Sequence, residues 1–464
     1  MPPRLHRLGL LLAALVAAAG AGARTPVDRL ITHGRLLTMN PARAVIEGGA
    51  VAIQGERIVA VGPGTLAADY APARTIDARG GIVMPGMVNA HTHLAMTVFR
   101  GLGDDVPDRL RRFIFPLERN FVTRDVVRAG TLLGLLELIE GGVTTFADMY
   151  YFEDEVARAT REAGLRAVLG QTIVNFPAPD APEPHGGLAL AREFIAAYRN
   201  DPLITPAFAP HAPYTVDRAI LRQVAEASAA LDAPVLIHLA EMTDEVATLR
   251  REHHQTPVEY LDANGLLNRR LVAAHCIFVT DSDLTLLRDR GAGVAHALVA
   301  NLKSAKGVAP ALRMFEQGVR IGLATDGPMS GNTLDVIGQL GYVAKVHKLD
   351  RKDRNVMPAA TVVEMATLGG ARALHLEDRI GSLEPGKLAD VVIVDTESTA
   401  LVPLYDPYSA LVYAASPRDV RTTIVHGRIL MEDRVVRTLD APAVKAGMRA
   451  LATRINAALA GGLK

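Results

Sequence analysis

Apolar and polar positions follow two different patterns along this chain. From residue 30 to 83, and again after residue 385, short apolar runs alternate with turns. The runs 50–53 and 57–61, with a Gly-containing turn between them, are typical of a β-hairpin. The two β-rich ends predict one small β-sandwich assembled from both termini, and the second end closes with a helical pattern over 443–459.

The middle of the chain alternates apolar strands with amphipathic helices. The strand candidates are residues 82–93, 143–148, 166–173, 204–211, 235–241, 271–277, 293–297 and 320–326. Eight β-α alternations over roughly 300 residues predict an α/β fold of the (β/α)8, TIM-like barrel type, and a doubly wound open sheet is the alternative. The expected organisation is a signal peptide (1–23), the sandwich (24–84 and 385–464) and the barrel between its two parts (85–384).

Residues 1–23 have the three parts of a secretory signal. A basic start precedes an apolar run over 8–19, and a small-x-small cleavage site follows at 21–23. The run is shorter than the roughly 20 residues that a bilayer core requires, so cleavage is favoured over the alternative, a membrane anchor. We therefore expect an exported, periplasmic protein that starts near Arg24 and has no stable membrane anchor.

Composition narrows the partners and the kind of metal site. The chain has 50 Lys and Arg residues against 50 Asp and Glu, so it lacks the basic excess typical of nucleic-acid binding, and we expect no nucleic-acid partner. The single cysteine, Cys276, excludes an internal disulfide and every Cys-rich metal site. Any metal must therefore be held by histidine and carboxylate.

Polar residues lie at the carboxyl ends of the predicted strands, where barrel active sites form. His91 and His93 are two residues apart, so both imidazoles project from one face of the first strand. His238 ends the fifth strand and Asp326 ends the eighth. Each alone could be a hydrogen-bonded core residue, but together they predict a nitrogen-rich site for one divalent cation, Zn²⁺ first and Fe²⁺ as the alternative.

Two further residues fit proton transfer. Glu241 follows His238 by three positions, beside the ion but not on it, and could move a proton from water to the substrate; its alternative is a helix-capping acid. His275 ends the sixth strand and could hydrogen-bond the same water; its alternative is a satisfied core histidine. Since a bound cation lowers the pKa of water to about 7, the pattern predicts metal-assisted hydrolysis in which Asp326 and His275 orient the water. Cys276 faces the opposite side of its strand, so we expect a packed residue rather than a nucleophile.

These motifs resemble the amidohydrolase superfamily and, within it, the group of 5′-methylthioadenosine/S-adenosylhomocysteine deaminases and chlorohydrolases. The matching stretches are residues 85–93, 210–214, 238–241, 274–276, 325–328 and 381–390. The resemblance implies a small-molecule substrate, metal ligation by His91, His93, His238 and Asp326, and proton transfer by Glu241 and His275. It further implies that Glu118 holds ribose hydroxyls and that His211 donates to a purine ring nitrogen. Homo-oligomers are common among such proteins, so a homo-oligomer is compatible with the resemblance.

The chain departs from this group in two places, and it also lacks a residue that binuclear barrel hydrolases require. S-adenosylhomocysteine deaminases hold the amino-acid carboxylate with arginines after the third strand, and residues 169–187 contain none. The family's H-x-P-x-S-N pattern lacks its Pro and Ser at 296–301. Binuclear relatives bridge two ions with a carboxylated lysine on the fourth strand, whereas the first lysine here is Lys303, so we expect a mononuclear site.

The predicted function is hydrolytic deamination of an adenosine-like or other amino-substituted N-heterocycle, with release of ammonia. The alternatives are hydrolysis of another exocyclic amide, amine or halide, and a catalytically silent scaffold on the same fold. A silent relative would be expected to lack Glu241 or a metal ligand, and this chain retains all of them.

Overall fold

A computed structural model describes residues 24–460. The predicted signal peptide, residues 1–23, lies outside the described residues. The strands are β1 (Thr25–Leu37), β2 (Val45–Gln54), β3 (Arg57–Gly62), β4 (Tyr70–Asp77), β5 (Ile82–Pro85), β6 (Met87–Thr92), β7 (Val143–Tyr150), β8 (Arg166–Ile173), β9 (Ile204–Pro210), β10 (Val235–Leu239), β11 (Leu271–His275), β12 (Gly293–His296), β13 (Arg320–Leu323), β14 (Val391–Val394), β15 (Val420–Val425), β16 (Arg428–Glu432) and β17 (Val435–Val436).

The helices lie mainly between the strands of the middle region. They are α1 (Phe115–Phe121), α2 (Arg124–Glu140), α3 (Glu153–Ala163), α4 (Gly187–Tyr198), α5 (Arg218–Leu231), α6 (Thr243–His253), α7 (Pro257–Ala263), α8 (Asp281–Arg290), α9 (Leu298–Lys303), α10 (Ala311–Glu316), α11 (Val336–Arg351), α12 (Ala359–Met365), α13 (Leu368–Ala373), α14 (Pro407–Tyr413) and α15 (Ala441–Ala460). Among the described helices, none combines the length and the apolar character needed to cross a membrane.

Strands β6 to β13 form a parallel eight-stranded barrel. Neighbouring strands pair in sequence order, from β6 to β13. The last strand returns to the first, because the backbone N–H of Asp326 donates to the carbonyl of His91 at 3.1 Å. The side chains of Asn89 and Thr325 are hydrogen-bonded across the same seam at 2.7 Å. The predicted barrel is confirmed, and the alternative of an open sheet is wrong.

Strands from both termini form the second sheet, as predicted. Its order is β17-β16-β15-β14-β5-β1-β2-β3, with β4 also paired to β1. The long strand β1 pairs with β4 along its first half and with β5 along its second. It bends at His33, whose φ is 54°, and the next residue, Gly34, could not carry a Cβ, which would lie 2.4 Å from the side chain of Val83. The bend allows this one strand to pair with both β4 and β5.

The first barrel strand is shorter than its apolar pattern predicted. The continuous run 82–93 is two strands, β5 in the terminal sheet and β6 in the barrel. The chain changes sheet at Gly86, where a Cβ would lie 2.0 Å from the hydroxyl of Thr144. Both strands are fully buried, so no polar position marks the break, and only the Pro-Gly pair signals it.

A buried ion pair joins the barrel to the terminal sheet. Arg166 on β8 is 2% exposed and Asp390, just before β14, is 4% exposed. Nε of Arg166 donates to Oδ2 of Asp390 at 3.0 Å, and Nη2 donates to Oδ1 at 3.3 Å. This two-point contact fixes the angle between the guanidinium and the carboxylate as well as their separation.

Candidate active site

A cavity of about 550 Å³ opens at the carboxyl ends of the barrel strands. Five of the six predicted metal-binding and proton-transfer residues line it, namely His93, His238, Glu241, His275 and Asp326, and both predicted substrate contacts, Glu118 and His211, line it as well. His91 lies directly beneath, with its ring 4.7 Å from that of His93. The site therefore brings together all eight predicted site residues, seven from the strand ends and Glu118 from α1.

The four predicted metal ligands are spaced like the corners of a coordination shell. Nε2 of His93 lies 3.2 Å from Nε2 of His238 and 3.3 Å from Oδ1 of Asp326. Nε2 of His91 lies 3.6 Å from the same oxygen. A tetrahedral Zn²⁺ site with arms of about 2.0–2.1 Å has ligand atoms roughly 3.3 Å apart, so these separations fit one small cation at the centre.

Hydrogen bonds to the backbone fix which nitrogen of each imidazole faces that centre. Nδ1 of His93 donates to the carbonyl of Met149 at 2.7 Å, and Nδ1 of His238 donates to the carbonyl of His211 at 2.8 Å. In the neutral rings both Nε2 atoms then carry lone pairs, which face each other across 3.2 Å. Nε2 of His91 is buried and has no hydrogen-bond partner among the described residues. A divalent cation would satisfy all three nitrogens, so the donor set fits zinc.

The pKa values of these groups favour a positive charge between them. Although burial opposes it, the neighbouring imidazoles of His91 and His93 hold the pKa of Asp326 well below its usual range. Burial also lowers the pKa of His93, yet the carboxylate of Asp326 raises it to about 9. Burial lowers the pKa of His91 to about 4. At neutral pH Asp326 is thus ionised, His91 is neutral, and the positive charge beside the carboxylate is the protonated ring of His93.

Irregular backbone turns the functional side chains into the cavity. On β11, Val272 and Ala274 face the barrel interior, so strict alternation would turn His275 outward. His275 instead has a φ of 72°, and Asp326, just past β13, has a φ of 59°. Such left-handed residues cost on the order of 1–3 kcal/mol each and cluster at functional sites. The backbone strain at His275 and Asp326 thus occurs where the side chains depart from strand alternation and point into the cavity.

Glu241 and His275, the two residues predicted to transfer protons, lie next to each other. Nε2 of His275 lies 3.6 Å from Oε1 of Glu241, and Nδ1 of His275 donates to Oδ1 of Asn301 at 2.9 Å. Nζ of Lys306 donates to the same carboxylate oxygen of Glu241. Burial raises the pKa of Glu241, but His275 and Lys306 outweigh burial and lower it. Glu241 is therefore an ionised carboxylate, suited to accept a proton.

Glu118 and His211 line the same cavity, close to the predicted metal ligands. Glu118 on α1 is buried, and burial raises its pKa to about 7. His211 follows β9, with its ring 4.7 Å from that of His238 and 6.0 Å from that of Phe115. Nδ1 of His211 is hydrogen-bonded to the hydroxyl of Thr215 at 2.9 Å. Their positions suit substrate binding, and their individual roles stay predictions.

Other polar residues at the strand ends lie outside the cavity. His296 lies between Ala295 and Ala297, which both face the barrel interior, so it turns outward and contacts His347 on α11 at 3.2 Å. The carboxylate of Asp148 accepts the backbone N–H of Leu94 at 2.6 Å behind the site. Cys276 is buried in the layer between strands and helices, and burial raises its pKa, as expected of a packed thiol.

Sequence reasoning missed two residues, Asn301 and Lys306. Asn301 is the last residue of the altered H-x-P-x-S-N pattern at 296–301, and Lys306 lies outside the matching motifs. The scarcity of lysine is the available signal, because the chain has eight lysines and two of them, Lys303 and Lys306, are three positions apart at the end of α9. The contacts of Asn301 and Lys306 depend on the path of the chain after β12. The periodicity of apolar residues does not predict that path.

Comparison with known proteins places this architecture in a family. A model described as the amidohydrolase family matches residues 82–430, well over half of the chain. The chain belongs to the amidohydrolase family. This amidohydrolase is 44% identical over 432 residues to a 5-methylthioadenosine/S-adenosylhomocysteine deaminase of Syntrophobacter fumaroxidans, with 92% of this chain and 98% of the relative covered. The resemblance predicted from the motifs is confirmed.

Solved structures agree with the fold of this amidohydrolase. An adenosine deaminase from Xanthomonas campestris with bound zinc has a TM-score of 0.91 at 38% identity, with 94% of this chain and all of that chain covered. An atrazine chlorohydrolase from Arthrobacter aurescens, complexed with zinc, has a TM-score of 0.84 at 23% identity, with 91% and 100% covered. At this lower identity the likeness concerns the fold alone.

Proposed function

We propose that this amidohydrolase is a zinc-dependent enzyme that deaminates adenosine-like nucleosides by hydrolysis and releases ammonia. One observation carries the proposal: a single cavity joins a nitrogen-rich metal centre, an ionised Glu241 and a buried acid, Glu118. The names of the relatives support the substrate class, since they include 5-methylthioadenosine/S-adenosylhomocysteine deaminases and a zinc-bound adenosine deaminase.

The reaction divides between the metal centre and the proton-transfer pair. His91, His93, His238 and Asp326 would hold the zinc ion. When bound, zinc would activate water for attack at neutral pH by lowering the pKa of that water. Glu241 accepts a proton from the attacking water and returns it to a ring nitrogen or to the departing amine. His275, fixed through Nδ1 by Asn301, orients the water with Nε2 as oxygen adds to the amino-bearing carbon and ammonia leaves.

Glu118 and His211 would hold the nucleoside. The carboxylate of Glu118 accepts hydrogen bonds from ribose hydroxyls. The hydroxyl of Thr215 lies between Nδ1 of His211, at 2.9 Å, and the carbonyl of Ala212, at 3.2 Å. A hydroxyl has one proton, so when it donates to Nδ1 instead of to the carbonyl of Ala212, Nε2 of His211 carries the ring proton and donates to a purine nitrogen.

Charge pairing in the cavity argues against a substrate with a free carboxylate. Three long basic side chains line the cavity among the described residues: Arg109, Lys303 and Lys306. Lys303 contacts Asp104 at 2.7 Å, Arg109 contacts the same carboxylate at 3.7 Å, and Lys306 is paired with Glu241. Since each cation has an acidic partner, we expect a neutral 5′-substituent to be preferred over a carboxylate-bearing one.

Ammonia release from the zinc-loaded protein tests the proposal. The panel contains adenosine, 5′-methylthioadenosine, S-adenosylhomocysteine, and amide- and chloride-bearing heterocycles. We expect the neutral nucleosides to release ammonia and Glu241→Gln to abolish the release while it keeps its zinc. Glu252→Gln, a change of an exposed carboxylate (side chain 53% exposed), is the matched control. Turnover of amides or chlorides without ammonia from any nucleoside would refute the proposal and support the alternative hydrolase.

We propose, from residues 1–23 of the sequence, that the enzyme is exported to the periplasm after cleavage near Arg24. Cell fractionation followed by N-terminal sequencing tests this; an uncleaved cytoplasmic protein would contradict it. We propose a homo-oligomer on the family resemblance, and light scattering of the purified enzyme tests that.

A further inference from the structure

The chain after β12 forms a short helix with a defined C-terminal cap. Helix α9 ends at Lys303, and the backbone N–H of Ala305 donates to the carbonyl of Leu302 at 3.0 Å. The N–H of Lys306 donates to the carbonyl of Asn301, also at 3.0 Å, and Ala305 has a φ of 52°. This pair of bonds is a Schellman motif, which fixes the backbone of Lys306 relative to Asn301.

The same turn contacts both members of the proton-transfer pair. Oδ1 of Asn301 accepts from Nδ1 of His275 at 2.9 Å. Nζ of Lys306 donates to Oε1 of Glu241, and that oxygen lies 3.6 Å from Nε2 of His275. The side chain of Glu241 is 8% exposed and that of Lys306 is 25% exposed. The ammonium group therefore approaches from the cavity mouth and pairs with a carboxylate that is almost out of contact with water.

We propose that Lys306 is a positioning residue for the deamination proposed above, holding the carboxylate of Glu241 in the proton-accepting orientation beside His275. A buried carboxylate without a partner is unfavourable and would turn toward solvent or become neutral. The rigid cap supplies the partner from a fixed point, because the backbone of Lys306 cannot move independently of Asn301. Glu241 and His275 thus keep their separation through one turn of chain.

The charges around Glu241 set the sign of the expected pH effect. The groups that face it are His275 on β11, Asp326 past β13, His211 past β9, Glu245 and Tyr214, besides Lys306. Removal of the Lys306 cation removes a group that lowers the pKa of Glu241. The pKa of Glu241 then rises, so that as the pH falls the ionised, proton-accepting carboxylate is lost at a higher pH than in the wild type. The acidic limb of kcat/KM must move upward.

Kinetics of matched lysine variants test the proposal. For Lys306→Met we expect kcat/KM at pH 7 to fall at least about tenfold, mainly through kcat, with unchanged zinc content. We expect the acidic limb to rise by about one pH unit. Lys306→Arg should restore most of the rate because it restores a cation. Lys303→Met, which removes a cation of the same cavity wall that contacts Asp104 instead, should leave the acidic limb in place. A wild-type profile for Lys306→Met would overturn the proposal.

A spectroscopic measurement tests the contact without activity. Reductive ¹³C-methylation keeps the charge on lysine, and the chain has only eight lysines, so their methyl signals can be resolved. The Lys306 signal is assigned by its loss in Lys306→Met. We expect it to shift in Glu241→Gln while the Lys303 signal stays. An unmoved Lys306 signal would overturn the contact, whereas absence of ammonia release by the wild type would overturn only the proposed function.

Discussion

Loss of the Arg166 guanidinium should destabilise the enzyme far more than loss of an exposed arginine with the same contact. Arg166→Met keeps much of the side-chain length but leaves Asp390 with one remaining donor, the backbone N–H of His426 at 2.8 Å. Breaking a buried ion pair by removing one partner costs about 3–5 kcal/mol. At about 2.1 cal/mol/K per residue, the unfolding entropy of a chain of this size is roughly 0.9 kcal/mol/K, so the melting temperature should fall by about 3–5 °C.

Arg290→Met is the matched control. Arg290 makes the same two-point contact with Asp262, at 2.7 and 3.0 Å, but its side chain is 51% exposed. Exposed pairs contribute about 0–1 kcal/mol, so this variant should melt within about 1 °C of the wild type. Calorimetry of the zinc-loaded proteins measures both. If Arg166→Met melts no lower than Arg290→Met, the pair between barrel and terminal sheet does not contribute as its burial implies.

Three further predictions concern the site. Removal of zinc by a chelator should lower the melting temperature by several degrees, because a ligand at a thousand times its Kd contributes about 4 kcal/mol; an unchanged melting curve would contradict the metal centre. Glu118→Gln should raise KM for nucleosides and lower kcat/KM about 10- to 100-fold, since hydrogen bonds to a charged group contribute roughly 1.5–3 kcal/mol. Free adenine, which lacks ribose, is its control substrate and should be unaffected. Cys276 should resist thiol reagents in the native enzyme and react only on unfolding, because burial raises its pKa; rapid native labelling would show that it is accessible.

The sequence predicted the barrel and the metal centre because both depend on regular spacing. Eight strand and helix alternations leave few topologies, and the two-residue separation of His91 and His93 places both imidazoles on one face of the strand, as a shared ion would require. Polar residues at strand ends then mark the catalytic face without any knowledge of loops.

The remainder depends on local backbone geometry that periodicity does not encode. His275 faces the site only because its φ is 72°, whereas His296, at an equivalent strand end, follows the alternation and faces α11. The change of sheet at Gly86 is hidden within one apolar run. The contact of Lys306 with Glu241 depends on the Schellman motif at the end of α9, which the apolar pattern does not predict.

The sheet change at Gly86 has a consequence for any attempt to shorten the enzyme. His91 and His93 follow within seven residues of that glycine, at the end of β6. The preceding strand, β5, is paired with β1 on one side and β14 on the other. Trimming the chain to its barrel would remove β1 and β14, whose pairing with β5 sets the position at which β6 begins. The strands from both ends of the polypeptide thus hold the first strand of the metal centre in position. A minimal enzyme would need a replacement for these strands before they could be removed.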